Sequence, residues 1–303
     1  MKVAAIMASG GLMGLAVAVW AGNGVGSQAA TWLTLPDSAR GAALGGASAA
    51  LDADVDVLNV NPAGLAGLSG INISMLHEAY VQDTSLEHLA CGIKAGQGAL
   101  GVSFDYMNYG SIPESQVTNG SLVSNSTLNP FGEVVRLGYA YPLGQLEVGV
   151  AGEGVMENLT GADTDETAAG NIGILWKDSE DGISLGVAGQ NLGGNLAGAN
   201  LPAQCQVGIG YRTAPFGVAK ELFLSANGSI PFSDTTDTLY SVGAELSGDI
   251  WVIRLGYRFA DESDTDGFAV GGGLRFKHLR LDYAFNGYGV LGDANLFSLG
   301  IRL

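Results

Sequence analysis

The chain reads as an all-β membrane protein, a fourteen-stranded antiparallel transmembrane β-barrel with an N-terminal plug (hatch) inside it. Three observations lead there. From Ile71 to Leu303 the sequence is a succession of segments about ten residues long in which apolar side chains alternate with small or polar ones, as the period of a strand requires. The connections between them are short at one end and longer at the other, the asymmetry of outer-membrane barrels. Beyond the leader, no apolar run is long enough to cross a bilayer as a helix, so a membrane location requires a closed barrel.

The N-terminus supplies the export signal. Met1-Lys2 precedes an apolar run from Val3 to Trp20, and Ser27-Gln28-Ala29-Ala30 offers small residues for cleavage, so residues 1–29 are expected to be a secretory signal peptide. The plug is placed at 30–70. Its centre, Arg40 to Leu68, is rich in Ala and Gly, which permits close packing inside something larger, and Asn61-Pro62 forces a turn or extended conformation. Asp52, Asp54 and Asp56 alternate, so in an extended segment they share one face.

The barrel is placed at 71–303, with strands near 71–81, 85–95, 99–109, 132–142, 145–156, 167–177, 182–191, 203–213, 221–230, 238–247, 249–259, 267–276, 278–286 and 294–303. Val135, Leu137 and Tyr139 oppose Arg136, Gly138 and Ala140, and Leu279, Leu281 and Tyr283 oppose Arg280 and Asp282. The apolar set suits lipid and the other set suits an interior. An even count returns the chain end to its starting side. The connections from Gly110 to Phe131 and from Leu192 to Pro202 are the longest on the outer side.

Composition narrows the function. A net charge of −17 argues against nucleic acid as a partner, and 48 Gly with only 14% charged residues fit a barrel with an apolar outside. Cys91 and Cys205 fall on the outward parity of distant strands and are read as free thiols facing lipid. His77, His88 and His278 stand in no nucleophile motif and no Cys/His spacing suggests zinc, so neither an enzyme nor a cofactor is expected. Asp261, Asp264 and Asp266 resemble part of a calcium loop, but the bidentate Glu that completes one is replaced by the Gly271–Gly273 run. They form only a weak metal candidate.

The inward parity of the last five strands carries Glu245, Arg254, Arg258, Arg275, Arg280, Asp282 and Arg302. Buried guanidinium groups need acids, and Asp52, Asp54 and Asp56 are the natural supply from the plug. A charge-locked hatch is therefore expected.

The run ARGAALGGASAALDADVDVLNVNPAGLAGL, followed by HEAYVQDTSLEHLACGI and DYMNYGSIPES, resembles the PorV/PorQ family of outer-membrane proteins, and GVAGQNLGG, LPAQCQVGIGYR, RLGYRF, GLRF and LDYAF continue the match in order. The resemblance implies an outer-membrane protein working in type IX secretion-like protein export, with exported cargo or other secretion components as partners. That family is related to FadL-type transporters, so the alternative implied is a channel for uptake of apolar small molecules. The hatch tripeptide then falls on Asn61, Pro62 and Ala63, which in FadL-like proteins lies beside a kinked strand where ligand leaves sideways. One departure is the C-terminal Leu303, where such barrels commonly end in an aromatic residue.

Overall fold

The computed structural model describes residues 28–118, 121–161, 163–179, 181–215, 217–233, 237–260, 266–289 and 292–303. Fourteen strands close into one antiparallel barrel in which every strand pairs with its chain neighbours and the first pairs with the last. They are β1 (Ile71–Ala79), β2 (Ser85–Ala95), β3 (Gly98–Asn108), β4 (Phe131–Leu143), β5 (Leu146–Asn158), β6 (Asp165–Lys177), β7 (Ile183–Leu192), β8 (Gln204–Arg212), β9 (Glu221–Pro231), β10 (Leu239–Ser247), β11 (Trp251–Ala260), β12 (Gly267–Phe276), β13 (Leu279–Gly287) and β14 (Asp293–Arg302). Closure leaves no unpaired strand edge, which is what a β-structure in hydrocarbon requires.

The alternation resolves into an apolar outside and a packed inside. Leu137, Leu255 and Leu281 face outward and are exposed, whereas Arg136, Gly138 and Asp282 face inward. Cys91 and Cys205 are free and half-exposed on the outward parity. Such an apolar belt has no use in water. The protein belongs in the bacterial outer membrane.

Two features lie outside the expected strands. The long connection after β3 is itself a β-hairpin, Ile112–Thr118 against Ser121–Leu128, which pairs with itself and not with the barrel. A two-residue ladder, Asn195–Leu196 with Ala199–Asn200, folds the connection after β7. On the opposite side the turns are tight, with Gly96 and Gly144 at positive φ.

Ahead of β1 the chain has short helical turns: Thr31–Thr34, the helix α1 (Ala39–Ala43), Val55–Leu58 and Pro62–Gly67. Ser38 caps α1 through Gly41 N–H at 3.1 Å, and Asn61 caps the last turn with Pro62 at its first position. Nearly all of residues 37–68 are buried, so the segment fills the lumen instead of hanging below it.

Candidate functional site

The interior is a seam between hatch and wall, and the wall is shaped for it by absent side chains. A Cβ at Gly138 would stand 2.5 Å from Leu58, and one at Gly208 3.0 Å from Ala49 Cβ. At Gly149, Gly173 and Gly186 an added methyl would overlap Pro62, Asn61 and Ala49. Glycine on β4–β8 thus lets two backbones approach. Leu51, Val55, Leu58, Leu65 and Leu68 of the hatch join Ala90, Ala99, Ala140 and Ala151 of β2–β5 in one apolar cluster.

Asn61 holds the tripeptide in place: its Nδ2 donates to Ala49 O at 2.8 Å and to Ile174 O of β6 at 3.2 Å, while its Oδ1 accepts from Ala63 N–H at 3.2 Å. The strands beside it are β5 and β6, whose ladder runs unbroken from Leu146–Trp176 to Glu157–Asp165. The irregularity falls one strand further on, where the β6–β7 register shifts between Gly170 and Ile172.

The other side of the hatch is held by charge. Arg280 of β13 donates to Asp54 at 2.6 Å and to Asp56 at 3.2 Å, and its Nε lies 2.9 Å from Asp282. Arg40 of α1 reaches the wall in the opposite sense, clasping Glu245 of β10 through Nε at 2.9 Å and Nη2 at 3.0 Å. Arg254 of β11 bridges Glu245 and Asp282 at 2.6 Å each, and Arg275 of β12 reaches Glu245 at 3.4 Å. The planar fork of guanidinium suits this, since one cation can hold two carboxylates in fixed directions.

The remaining predicted residues separate. Asp52 turns the other way, to Lys177 of β6 at 2.7 Å and Arg212 of β8 at 3.3 Å. Arg302 donates to Asn72 Oδ1 and to Ala53 O. Arg258 stacks over the Tyr288 ring, 4.5 Å from its centroid. Asp261 and Asp264 of the weak calcium candidate lie outside the described residues, and Asp266 sits at the head of β12.

Burial pushes the Asp52 and Asp54 carboxyls up, but Arg212 with Lys177 outweighs it for Asp52, and Arg280 with Arg40 for Asp54, so both lie below the usual range. Asp56 goes the other way, raised by burial and by Asp54.

A second belt was not foreseen from the sequence. His88 of β2 contacts Asp105 of β3 through Nδ1, Arg136 of β4 contacts Asp105 and, at 3.0 Å, Glu153 of β5, and Asn171 of β6 donates to Glu153 at 3.2 Å. All are inward on adjacent strands, so parity combined with register contains the signal.

The hatch leaves a cavity on each side. Toward the short turns lies one of about 650 Å³, lined by Arg40, Asp52, Asp54, Glu245, Arg275 and Arg280 among others. Toward the long connections lies a recess of about 150 Å³ between Leu35, Pro36 and Val60 of the hatch and Gln190, Pro202 and Leu239 of the wall. A third hollow, about 670 Å³, opens on the lipid side of β12–β14 and β1, lined by Met75, Leu281, Tyr283, Phe297 and Leu299.

Residues 13–134 match the model of an uncharacterised protein family (UPF0164). No curated protein matches the chain. Among solved structures, the Ralstonia pickettii toluene transporter TbuX is similar with a TM-score of 0.64 at 16% identity, over 88% of this chain and 98% of that one. The Pseudomonas putida toluene transporter TodX gives 0.63 at 13% identity, over 87% and 96%. CymD, a monoaromatic hydrocarbon channel, gives 0.60 at 15% identity, over 87% and 96%. These likenesses concern the fold, and they correct the family expectation: the barrel resembles FadL-type hydrocarbon transporters and not PorV/PorQ, which also overturns the protein-export role.

Proposed function

We propose that the protein is a passive channel for neutral, apolar small molecules, opened by parting the hatch from β10–β13. The observation that carries this reading is the position of the ion pairs. Arg40, Asp54, Glu245, Arg275 and Arg280 all line the cavity on the short-turn side, where water can replace a protein partner as the hatch moves. Glycine backbone packs against the hatch on both sides, at Gly138, Gly149, Gly173, Gly186 and Gly208 and again at Gly243, Gly256 and Gly271, whereas the arginine pairs gather on β10–β13. The names of the similar barrels, transporters of toluene and channels for monoaromatic hydrocarbons, agree with an apolar cargo. The acids at and beside the long connections, including Asp163 and Asp237 and the strand-end Glu166 and Asp293, would repel a carboxylate and so favour a neutral molecule over a fatty-acid anion.

Cells displaying the barrel should take up radiolabelled toluene faster than cells displaying an unrelated barrel, with no gain for a long-chain fatty acid. Equal toluene uptake at equal barrel abundance would contradict the reading.

A further inference from the structure

Between the hatch and the wall at β2–β3 lies a group of side chains that neither the apolar packing nor the Arg280 pairs account for. Asp37, two residues ahead of α1, meets His88 and Asp105, which face each other across the β2–β3 ladder. One donor atom from each lies within 4.8 Å of the others, and all three residues are buried. Asp37 is only 6% exposed, and its Oδ2 has no hydrogen-bond partner. Arg136 Nη1 stands 3.9 Å away, beyond hydrogen-bond reach, and is already engaged by Asp105. An orphaned carboxylate oxygen at this depth is costly unless something cationic meets it.

We propose that Asp37, His88 and Asp105 bind a divalent first-row transition cation, pinning the hatch to β2 and β3. One imidazole with two carboxylates suits Zn²⁺ and its neighbours better than Ca²⁺ or Mg²⁺, which prefer all-oxygen shells. His88 turns Nδ1 toward Asp105 Oδ1, so a cation on Nδ1 has Asp105 and Asp37 as neighbouring ligands. The other ring nitrogen, Nε2, stands 3.4 Å from Asp56 Oδ1, an atom that has no hydrogen-bond partner of its own. An N–H there pointing at a carboxylate is the outer-shell arrangement that fixes a ligating imidazole. Asp56 is itself held in place through its second oxygen by Ser74 at 2.9 Å and by Arg280.

Charge balance points the same way. Asp37, Asp105 and Glu153 gather around the single guanidinium of Arg136, an excess of buried carboxylate that a dication held by Asp37, His88 and Asp105 offsets. Arg136 approaches Asp105 through Oδ2 and leaves Oδ1 on the histidine side. The three ligands come from distant segments of the chain, so no ligand spacing marks the site in the sequence. The inference does not depend on what the channel carries.

The test refolds the full chain into detergent with Zn²⁺ present, removes free metal, and measures zinc per folded barrel, with heat-modifiable gel mobility reporting closure. Wild type should hold about one zinc per chain, and Asp37→Asn and His88→Gln less than about a tenth of that. His77→Gln removes the histidine of the exposed His77–Glu87 pair on the outer face and should keep the metal. Zinc should also raise the melting temperature of wild type over chelator, and Co²⁺ should give visible ligand-field bands on wild type, which decides the matter should a variant fail to close. A folded wild-type barrel without zinc, or zinc undiminished in Asp37→Asn and His88→Gln, would overturn the proposal.

Discussion

The two sides of the hatch share close glycine contacts, since Gly243, Gly256 and Gly271 of β10–β12 approach Ala43, Leu44 and Gly45 as tightly as the glycines of β4–β8 approach the rest, and they differ in charge. Against β4–β8 it meets Gly138, Gly149, Gly173, Gly186 and Gly208, with Asp52 as its charged link. Against β10–β13 it is held by Arg40 on Glu245 and by Arg280 on Asp54 and Asp56. Close packing is short-ranged and insensitive to pH or salt, and it fails only when volume changes. Ion pairs are directional and can exchange a partner for water where a cavity supplies it. Under the proposed function, β10–β13, where the ion pairs are densest, is the latch and β4–β8 the hinge.

The largest effect is expected at the latch. Glu245 is almost fully buried and receives Arg40, Arg254 and Arg275, so Glu245→Gln takes the nearest counter-ion from Arg40 and Arg275, while Arg254 keeps Asp282. Removing one partner of a buried pair costs about 3–5 kcal/mol. Urea unfolding in detergent should show a loss of that size; a loss below about 1 kcal/mol would mean that water already screens these groups.

A smaller effect is expected at the hinge, through volume. Gly186→Val places carbon where the Ala49 carbonyl lies, and overpacking of this kind costs about 1–3 kcal/mol. The variant should expose the hatch to protease while leaving heat-modifiable mobility intact. Unchanged protection would show that the hatch yields without cost.

How much of this was legible in the sequence follows from the same contrast. Strand positions came within a residue or two because each alternation, such as Val135, Leu137 and Tyr139 against Arg136 and Gly138, reports a lipid side and an inner side. The hairpin Ile112–Thr118 with Ser121–Leu128 escaped because it stands outside the barrel, where neither lipid nor hatch imposes that pattern. Arg40 was read only as part of a small-residue run, and its partner Glu245 is 205 positions away, a distance that only register and closure bridge. Lys177 and Arg212 face inward by parity, but that Asp52 meets them and not the arginines of the last five strands depends on where the hatch crosses the lumen, which the spacing of the acids does not encode. The tripeptide Asn61-Pro62-Ala63 was visible as a turn, whereas its hold on Ile174 O needed the fold.

Acid should loosen the charged link on the hinge side. The Asp52 carboxyl is held below its ordinary value, so its stabilisation is present above about pH 4 and is lost as pH falls through the depressed value. Hatch protection attributable to Asp52 should be flat from about pH 8 to 5 and decline below about 4, and Asp52→Asn should remove that decline. An Asp52→Asn profile that follows wild type throughout would assign the acid effect elsewhere. The smallest effect belongs to the exposed pair Lys220–Asp249, 3.3 Å apart at the rim, where Lys220→Ala should change stability by less than about 0.5 kcal/mol.

The latch-and-hinge account is tested most directly by fixing each side in turn. In a background with Cys91 and Cys205 replaced by Ser, Leu44→Cys with Gly243→Cys joins the hatch to β10, and Ala49→Cys with Gly208→Cys joins it to β8. A Cβ built at Gly243 stands 2.9 Å from Leu44 Cβ and one at Gly208 3.0 Å from Ala49 Cβ, so a small opening reaches the disulfide span of about 3.8 Å. Toluene uptake should fall to background with the first bond, return on reduction, and stay near the wild-type rate with the second. Equal uptake with both bonds formed would contradict passage by parting of the hatch, and loss with the second bond alone would place the moving side at β8.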